Sequence, residues 1–347
     1  MDVRRRVDWF ENDTRIYPAH FHASNLMDIL LYRDISSHYF LKKTCLYYDD
    51  ISAGGVFLNA DQFCQIIENS QNLYGSSELS FRWGHGLFPG HFDGFSQLLS
   101  HSQTLDELLL NFCIYPQLTP MMTLKRWEDE KTVYFQWSDS IGVGKQHSFL
   151  VEAYTTGIIS LVNWLFEEKL PWRFCFSGGK PKYIEEYEVN LGPDIQFDLG
   201  VDMIMINRDL LDRKIPQINK KSGSLAAKKI AKQQCDKESS YLSSGFVQSV
   251  LYFQSSRFPN SFNLSEMADL FEMSPATFKR KLSKHNFSFQ RVQDLARLNA
   301  SIQLIQKKGL KNLELADYWE IKDVNNFRRA FKRWCGMTPS EFRARMA

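Results

Sequence analysis

Arginine and asparagine are the side chains able to pair bidentately with guanine and adenine edges in a DNA major groove. Near its C-terminal end the sequence sets them at helical spacing twice, once with Ala276, Thr277, Lys279, Arg280 and Lys284 and once with Asn325, Asn326, Arg328, Arg329 and Lys332. A helix from about Pro275 to His285 carries Phe278 and Leu282 on one stripe and Ala276, Arg280 and Ser283 on the opposite one, with Lys279 flanking. A helix from about Val324 to Cys335 puts Phe327, Phe331 and Trp334 on its apolar stripe, faces Asn325, Arg329 and Lys332 away from it, and leaves Arg328 flanking. Arg280 and Arg329 are thereby offered to base edges, and Lys284 and Lys332 to phosphate. A solvated basic face could produce such a pattern once; the same apolar frame carrying it twice favours DNA recognition.

Other candidate chemistry fails on spacing. Gly142-Val-Gly-Lys145 resembles part of a phosphate loop, yet Asp139 occupies the first glycine position and Gln146 the Ser/Thr position. His85 and His91, within Gly84 to Gly94, lack the carboxylate-plus-histidine spacing of a metal helix and read as a surface turn, as do His20 and His22. Glu185, Glu186 and Glu188 read as a solvated acidic face. The six cysteines (Cys45, Cys64, Cys113, Cys175, Cys235, Cys335) stand far apart, with no Cys-x-x-Cys pair. No metal, cofactor or nucleophile-base pair is expected, so the sequence does not read as an enzyme.

The elements that must hold the cationic helices are visible as an internal repeat. Ala268-Asp-Leu-Phe-Glu-Met273 recurs as Ala316-Asp-Tyr-Trp-Glu-Ile321, forty-eight positions on, and each copy precedes a helix start. Ser274 can cap the first helix with Pro275 at its first position, and Asp323 the second. Thr338 to Glu341 is a capping box with Pro339 at the first helical position, so a final helix begins there. Upstream, Phe246, Val250, Leu251 and Phe253 recur at helical spacing and stop before Pro259, as a helix opening this domain would.

A chain of 347 residues exceeds one ordinary core, and its charge divides it. Residues 1–216 hold 19 Lys/Arg against 29 Asp/Glu, a net of −10, whereas the remainder holds 23 against 11, a net of +12. Phosphates repel the first part and attract the second. Residues 217–239, with Lys220, Lys221, Ser222, Gly223, Ser224, Lys228, Lys229 and Lys232, read as a polar linker. In the first part, Lys131 to Trp137 alternates as a half-buried strand, Thr104 to Glu107 caps a helix, and Phe149 to Glu168 is helical. The expectation is an α+β N-terminal domain over 1–216, the linker, and an all-α domain with two helix-turn-helix units over 240–347. Arg4, Arg5 and Arg6 precede a charged stretch instead of a signal core, and the best apolar run, Gly157 to Phe166, is too short to span a membrane. A reducing cytoplasm is the expected location.

Residues 240–347 resemble the DNA-binding domain of AraC/XylS-type regulators. The match is densest over Phe327-Arg-Arg-Ala-Phe-Lys-Arg-Trp-Cys-Gly-Met-Thr-Pro-Ser-Glu-Phe-Arg343. The resemblance implies two helix-turn-helix units joined by a long helix, here about Phe289 to Lys307. Glu272 and Glu320 stand where the family usually has a glycine in each turn, which costs about 1 to 2 kcal/mol apiece if the backbone there is left-handed. Residues 1–216 are similar to the N-terminal domain of the branch that includes an ornithine-utilisation regulator, on Ser102-Gln-Thr-Leu-Asp-Glu107 and Leu191-Gly-Pro-Asp-Ile-Gln-Phe197. That similarity implies sensing of a small-molecule effector and homodimerisation. The expected function is a transcription regulator, an effector-responsive activator on double-stranded promoter DNA that works with RNA polymerase. The alternative is a regulator controlled by a protein partner without a ligand.

Overall fold

The computed structural model describes residues 9–216, 222–239 and 244–346. Arg4, Arg5 and Arg6, and Lys220 and Lys221 of the stretch read as a linker, lie outside them. The N-terminal part is α+β. Its five-stranded sheet runs, in spatial order, Met122–Glu128, Thr132–Asp139, Met203–Asn207, Arg173–Cys175 and Ile195–Gln196. All neighbours are antiparallel except the last pair. Helix His147–Phe166 covers one face, burying Leu150, Tyr154, Ile158, Leu161 and Leu165 with Val133, Phe135 and Trp137 of the strand. The helix, with the turn before it, is long and apolar enough over Gly144–Phe166 to cross a membrane by length and composition, but 83% of an 18-residue apolar window within it is buried in the fold.

Alternation along the strand Thr132–Asp139 suggests one solvated face. The structure buries Val133 through Ser138 on both faces, because the C-terminal domain occupies the other side. There Trp127, Tyr134, Val201, Met203 and Met205 form one apolar cluster with Leu298, Ile302, Phe327, Phe331, Trp334 and Met346. The polar members of this face are satisfied across the interface. Gln136 Nε2 donates to Asn299 Oδ1 at 2.7 Å, and the Tyr134 hydroxyl lies 3.3 Å from Gln306 Oε1.

The all-α C-terminal part follows the expected plan. Helix Phe246–Ser256 opens it; Leu264–Leu270 and Pro275–Lys284 form the first helix-turn-helix. A long helix, Phe289–Lys308, links it to the second, Asn312–Tyr318 and Val324–Cys335, and Pro339–Met346 closes the chain. Two segments depart from a simple two-part division. Helix Ser222–Ser239 spans most of the stretch read as a linker and docks on the N-terminal core through Ala231 and Cys235, with Tyr115 donating to Asp236 at 2.6 Å. Trp9 and Phe10 pair in parallel with Ser244 and Gly245, and Trp9 packs on Phe246 of the opening helix and on Phe271 in the first helix-turn-helix.

Candidate nucleic-acid interface

Each helix-turn-helix is built from the repeat seen in the sequence, and the repeat turns out to be a helix C-cap. In the first copy Met273 N–H donates to Ala268 O and Glu272 N–H to Asp269 O; in the second Ile321 donates to Ala316 and Glu320 to Asp317. This is the paired bonding of a Schellman motif, whose C′ residue must be left-handed. Glu272 and Glu320 are that residue, at φ 54° and 53°. The turn delivers the chain to an N-cap: Ser274 Oγ accepts from Thr277 N–H, with Pro275 next, and Asp323 accepts from Asn325 and Asn326 N–H. Ala268 and Ala316 are buried, as are Phe278, Leu282, Phe327, Phe331 and Trp334 on the helices that follow.

With the apolar stripe fixed, the opposite stripe is solvent-facing. Ala276, Lys279, Arg280, Lys284, Asn325, Asn326, Arg328, Arg329 and Lys332 are exposed and Thr277 is half-buried. Two of the ten are already engaged within their own helix start: Thr277 Oγ1 accepts from Ser274 at 3.0 Å, and Asn326 Nδ2 donates to Asp323 at 2.6 Å. Arg280, Lys279, Arg328, Arg329 and Lys332 make no hydrogen bond or ion pair among the described residues, and so are open to a ligand.

Lys284 is different. It donates to Asp13 at 2.7 Å and lies 3.7 Å from Glu11, and neighbouring Lys281, absent from the sequence-based set, pairs with Glu11 as well. The hydrogen bond to Lys284 holds the Asp13 carboxyl below its ordinary value, and the reciprocal bond raises the Lys284 ammonium. An acidic segment of the N-terminal part thus sits on cations of the first recognition helix, Pro275–Lys284. No local signal marks a contact between residues 270 positions apart.

The N-terminal part also grips the far end of each recognition helix. Gly142 (φ 95°) passes so close to His285 that a Cβ there would lie 1.8 Å from its carbonyl oxygen; His285 Nδ1 in turn donates to Ile141 O at 2.5 Å, and Asn286 donates to Gly142 O at 2.8 Å. Gly200 (φ 68°) plays the same part at Cys335, with a Cβ position 2.7 Å from its Cα. The loop resembling a phosphate cradle is therefore a docking loop. Its Ile141, Gly142 and Val143 N–H groups all donate to Asp139, which leaves them nothing to offer a phosphate.

Of the histidines read as surface turns, His20 and His91 do lie in turns, whereas His22 and His85 are helical. His85 lies in helix Leu79–Leu87, between Ser160 Oγ at 2.7 Å and Asn190 Oδ1 at 2.6 Å. That chain resembles a nucleophile-base-orienter series, but Ser160 is mid-helix, where backbone N–H groups are spent on the helix and cannot form an oxyanion hole. The glycine beside His85 serves packing, since a Cβ on Gly84 would meet Ala153 O at 2.5 Å. His22 is fully in the core, held to Leu118 O at 3.0 Å, and burial pushes its pKa down to about 3. Glu185 and Glu188 are exposed. No disulfide joins any of the six cysteines, and among the described residues no group of His, Cys, Asp and Glu could hold a metal ion.

Comparison with known proteins agrees with both halves. Residues 36–215 match the family described as the arabinose-binding domain of AraC transcription regulator, N-terminal, and residues 267–345 match a helix-turn-helix domain family. An uncharacterized HTH-type transcriptional regulator of Mycobacterium tuberculosis is 26% identical over 157 residues, 44% of this chain and 43% of its own length. The ornithine utilization regulator of Pseudomonas aeruginosa is 26% identical over 211 residues, 59% of this chain and 60% of its own. The chain thus spans about half the length of the curated relatives it matches. Among solved structures, the transcriptional regulator CdpR of Pseudomonas aeruginosa aligns over 94% of this chain and 98% of its own at 15% identity, with a TM-score of 0.42.

Proposed function

The chain belongs to the AraC family of transcription regulators, and from that premise we propose that it binds promoter DNA through both recognition helices, Pro275–Lys284 and Val324–Cys335, and activates transcription in response to a small molecule. The observation that carries the reading is the doubled unit: two C-caps of identical bonding, each followed by a capped helix with a buried aromatic stripe and an outward Arg, Arg280 or Arg329. A major groove admits such a helix, and a rigid link such as Phe289–Lys308 suits two adjacent groove segments about one helical turn, roughly 10 base pairs, apart.

In this reading Arg280 and Arg329 read bases, assisted by Ala276, Thr277, Asn325 and Asn326, while Lys279, Lys284, Arg328 and Lys332 hold phosphate. Residues 1–216 form the effector-sensing and dimerising domain, 217–239 the connection, and 240–347 the DNA-binding domain. The protein works in the cytoplasm as a homodimer and contacts RNA polymerase. Binding-site selection with Arg280→Ala and Arg329→Ala is the test. Each should cost about 1 to 3 kcal/mol and relax base preference in its own half-site only. Full wild-type preference in both variants would refute the double reader. Sedimentation of the full chain at micromolar concentration decides the dimer, and a strictly monomeric chain removes it.

A further inference from the structure

We infer that the cleft between the sheet of the N-terminal part and the start of the linking helix Phe289–Lys308 binds a small organic carboxylate, with Arg291 as the anion-holding residue. The inference builds on the effector-responsive reading above by giving the effector a place and a chemical class.

The cleft measures about 570 Å³, within the roughly 300 to 1,000 Å³ usual for small-molecule sites. Its charged lining can be accounted for group by group. Asp139 is saturated by three backbone N–H groups of its own loop. Asp202 accepts from Ser177 N–H at 2.8 Å and Ser177 Oγ at 2.9 Å, and lies 2.8 Å from His147 Nε2. Asp294 accepts from Gln290 at 2.9 Å and pairs with Arg333 at 3.2 Å. Arg291 is the lining charge left without an ion-pair partner among the described residues, its guanidinium lying 4.9 Å from the Phe287 ring centroid.

Three further features favour a carboxylate there. Arg291 occupies the first turn of a 20-residue helix, where the positive end of the helix dipole adds to its own charge. Burial opposes protonation of His147, but its hydrogen bond to Asp202 outweighs that and raises its pKa, so His147 adds a second cationic group to the cleft. Trp334, also in the lining, has a buried indole N–H with no partner. Phe287 and Trp334 supply aromatic surface for an apolar body, which a bare inorganic anion lacks. The ligand class is therefore a monocarboxylate bearing a ring-sized apolar group. Such a molecule would touch the sheet, Phe287 just beyond the first recognition helix, and Arg333 and Trp334 of the second, and so could couple its own binding to the spacing of the two.

The test uses the full wild-type chain with phenylacetate and indoleacetate, each beside its primary amide, and with inorganic phosphate. The acids should raise the melting temperature while the amides and phosphate leave it unchanged. By titration calorimetry Arg291→Gln should weaken the acids roughly tenfold or more, and Arg291→Lys should retain part of the affinity. No shift with either acid, an equal shift with phosphate alone, or undiminished affinity in Arg291→Gln overturns the proposal. Gel-shift binding of promoter fragments by the ligand-free chain separates the two readings. DNA binding without acid binding removes the cleft and keeps the regulator; acid binding without DNA binding does the reverse.

Discussion

Replacing Glu272 and Glu320 by glycine should stabilise this protein, although it removes two charged side chains from its surface. Both residues hold a left-handed backbone, at φ 54° and 53°, because each is the C′ position of a Schellman cap. A side chain with a Cβ pays about 1 to 2 kcal/mol for that conformation. Glycine removes this cost but loses about 0.5 to 1 kcal/mol to its freer unfolded chain. The net gain is about 0.5 to 1 kcal/mol per site. Both carboxylates are exposed and make no hydrogen bond or ion pair among the described residues, so no contact is lost to offset it. The two turns belong to separate apolar clusters, and their effects should add to about 1 to 2 kcal/mol in the double variant. Urea unfolding of the full chain measures this as a higher midpoint at unchanged slope. Glu272→Ala and Glu320→Ala are the controls, since they remove the charge and keep the Cβ. If the alanine variants gain as much as the glycine variants, or if the glycine variants gain nothing, backbone strain is not the cause.

Three other outcomes follow from contacts between the two parts and within the core. Glu11→Gln with Asp13→Asn frees Lys281 and Lys284, so affinity for DNA of any sequence should rise and the salt dependence steepen by up to about two charges; an unchanged salt slope would count against it. His22 is neutral in the fold down to about pH 3 but protonates near 6.5 when unfolded. The unfolded chain binds the extra proton, so stability is lost as pH falls below about 6.5, by about 1.4 kcal/mol per unit from this group. His22→Gln should flatten that acid limb by one proton in melts between pH 6 and 4, and a limb of unaltered steepness would show that His22 is not responsible. Gly200→Ala forces a Cβ to within 2.7 Å of Cys335 and should open the interface at the second recognition helix, Val324–Cys335. Faster amide exchange at Trp334 to Met337 is the expected reading, and wild-type protection there would show that the contact is dispensable.

What the sequence disclosed was local. Ser274 with Pro275, Asp323, and Thr338 with Glu341 are caps whose partners lie two or three residues away, and the helices begin where those residues put them. The buried stripe of Phe278 and Leu282 follows from helical periodicity alone, and with it the exposure of Arg280. What stayed hidden was long-range. The solvent-side pattern of Tyr134, Gln136 and Ser138 gave no hint that a second domain would cover it, because a polar residue bonded across an interface looks like one bonded to water. Trp9 and Glu11 left no trace of their positions beside the first recognition helix, and His22 could not be told from an exposed histidine without knowing what surrounds it. Arg291 was readable as a cation but not as an unpartnered one, which only a complete set of neighbours can establish.

The grip of Gly142 and Gly200 on the ends of the two recognition helices limits how far this regulator can be taken apart and recombined. A hybrid that joins its first 216 residues to another regulator's DNA-binding domain would bring foreign backbone against surfaces cut to fit His285 and Cys335. The join would tolerate variation in the connecting helix more readily than a mismatch at those two loops. Exchanging residues 139–145 and 199–202 together with the incoming domain is the smallest transplant that would carry the fit across.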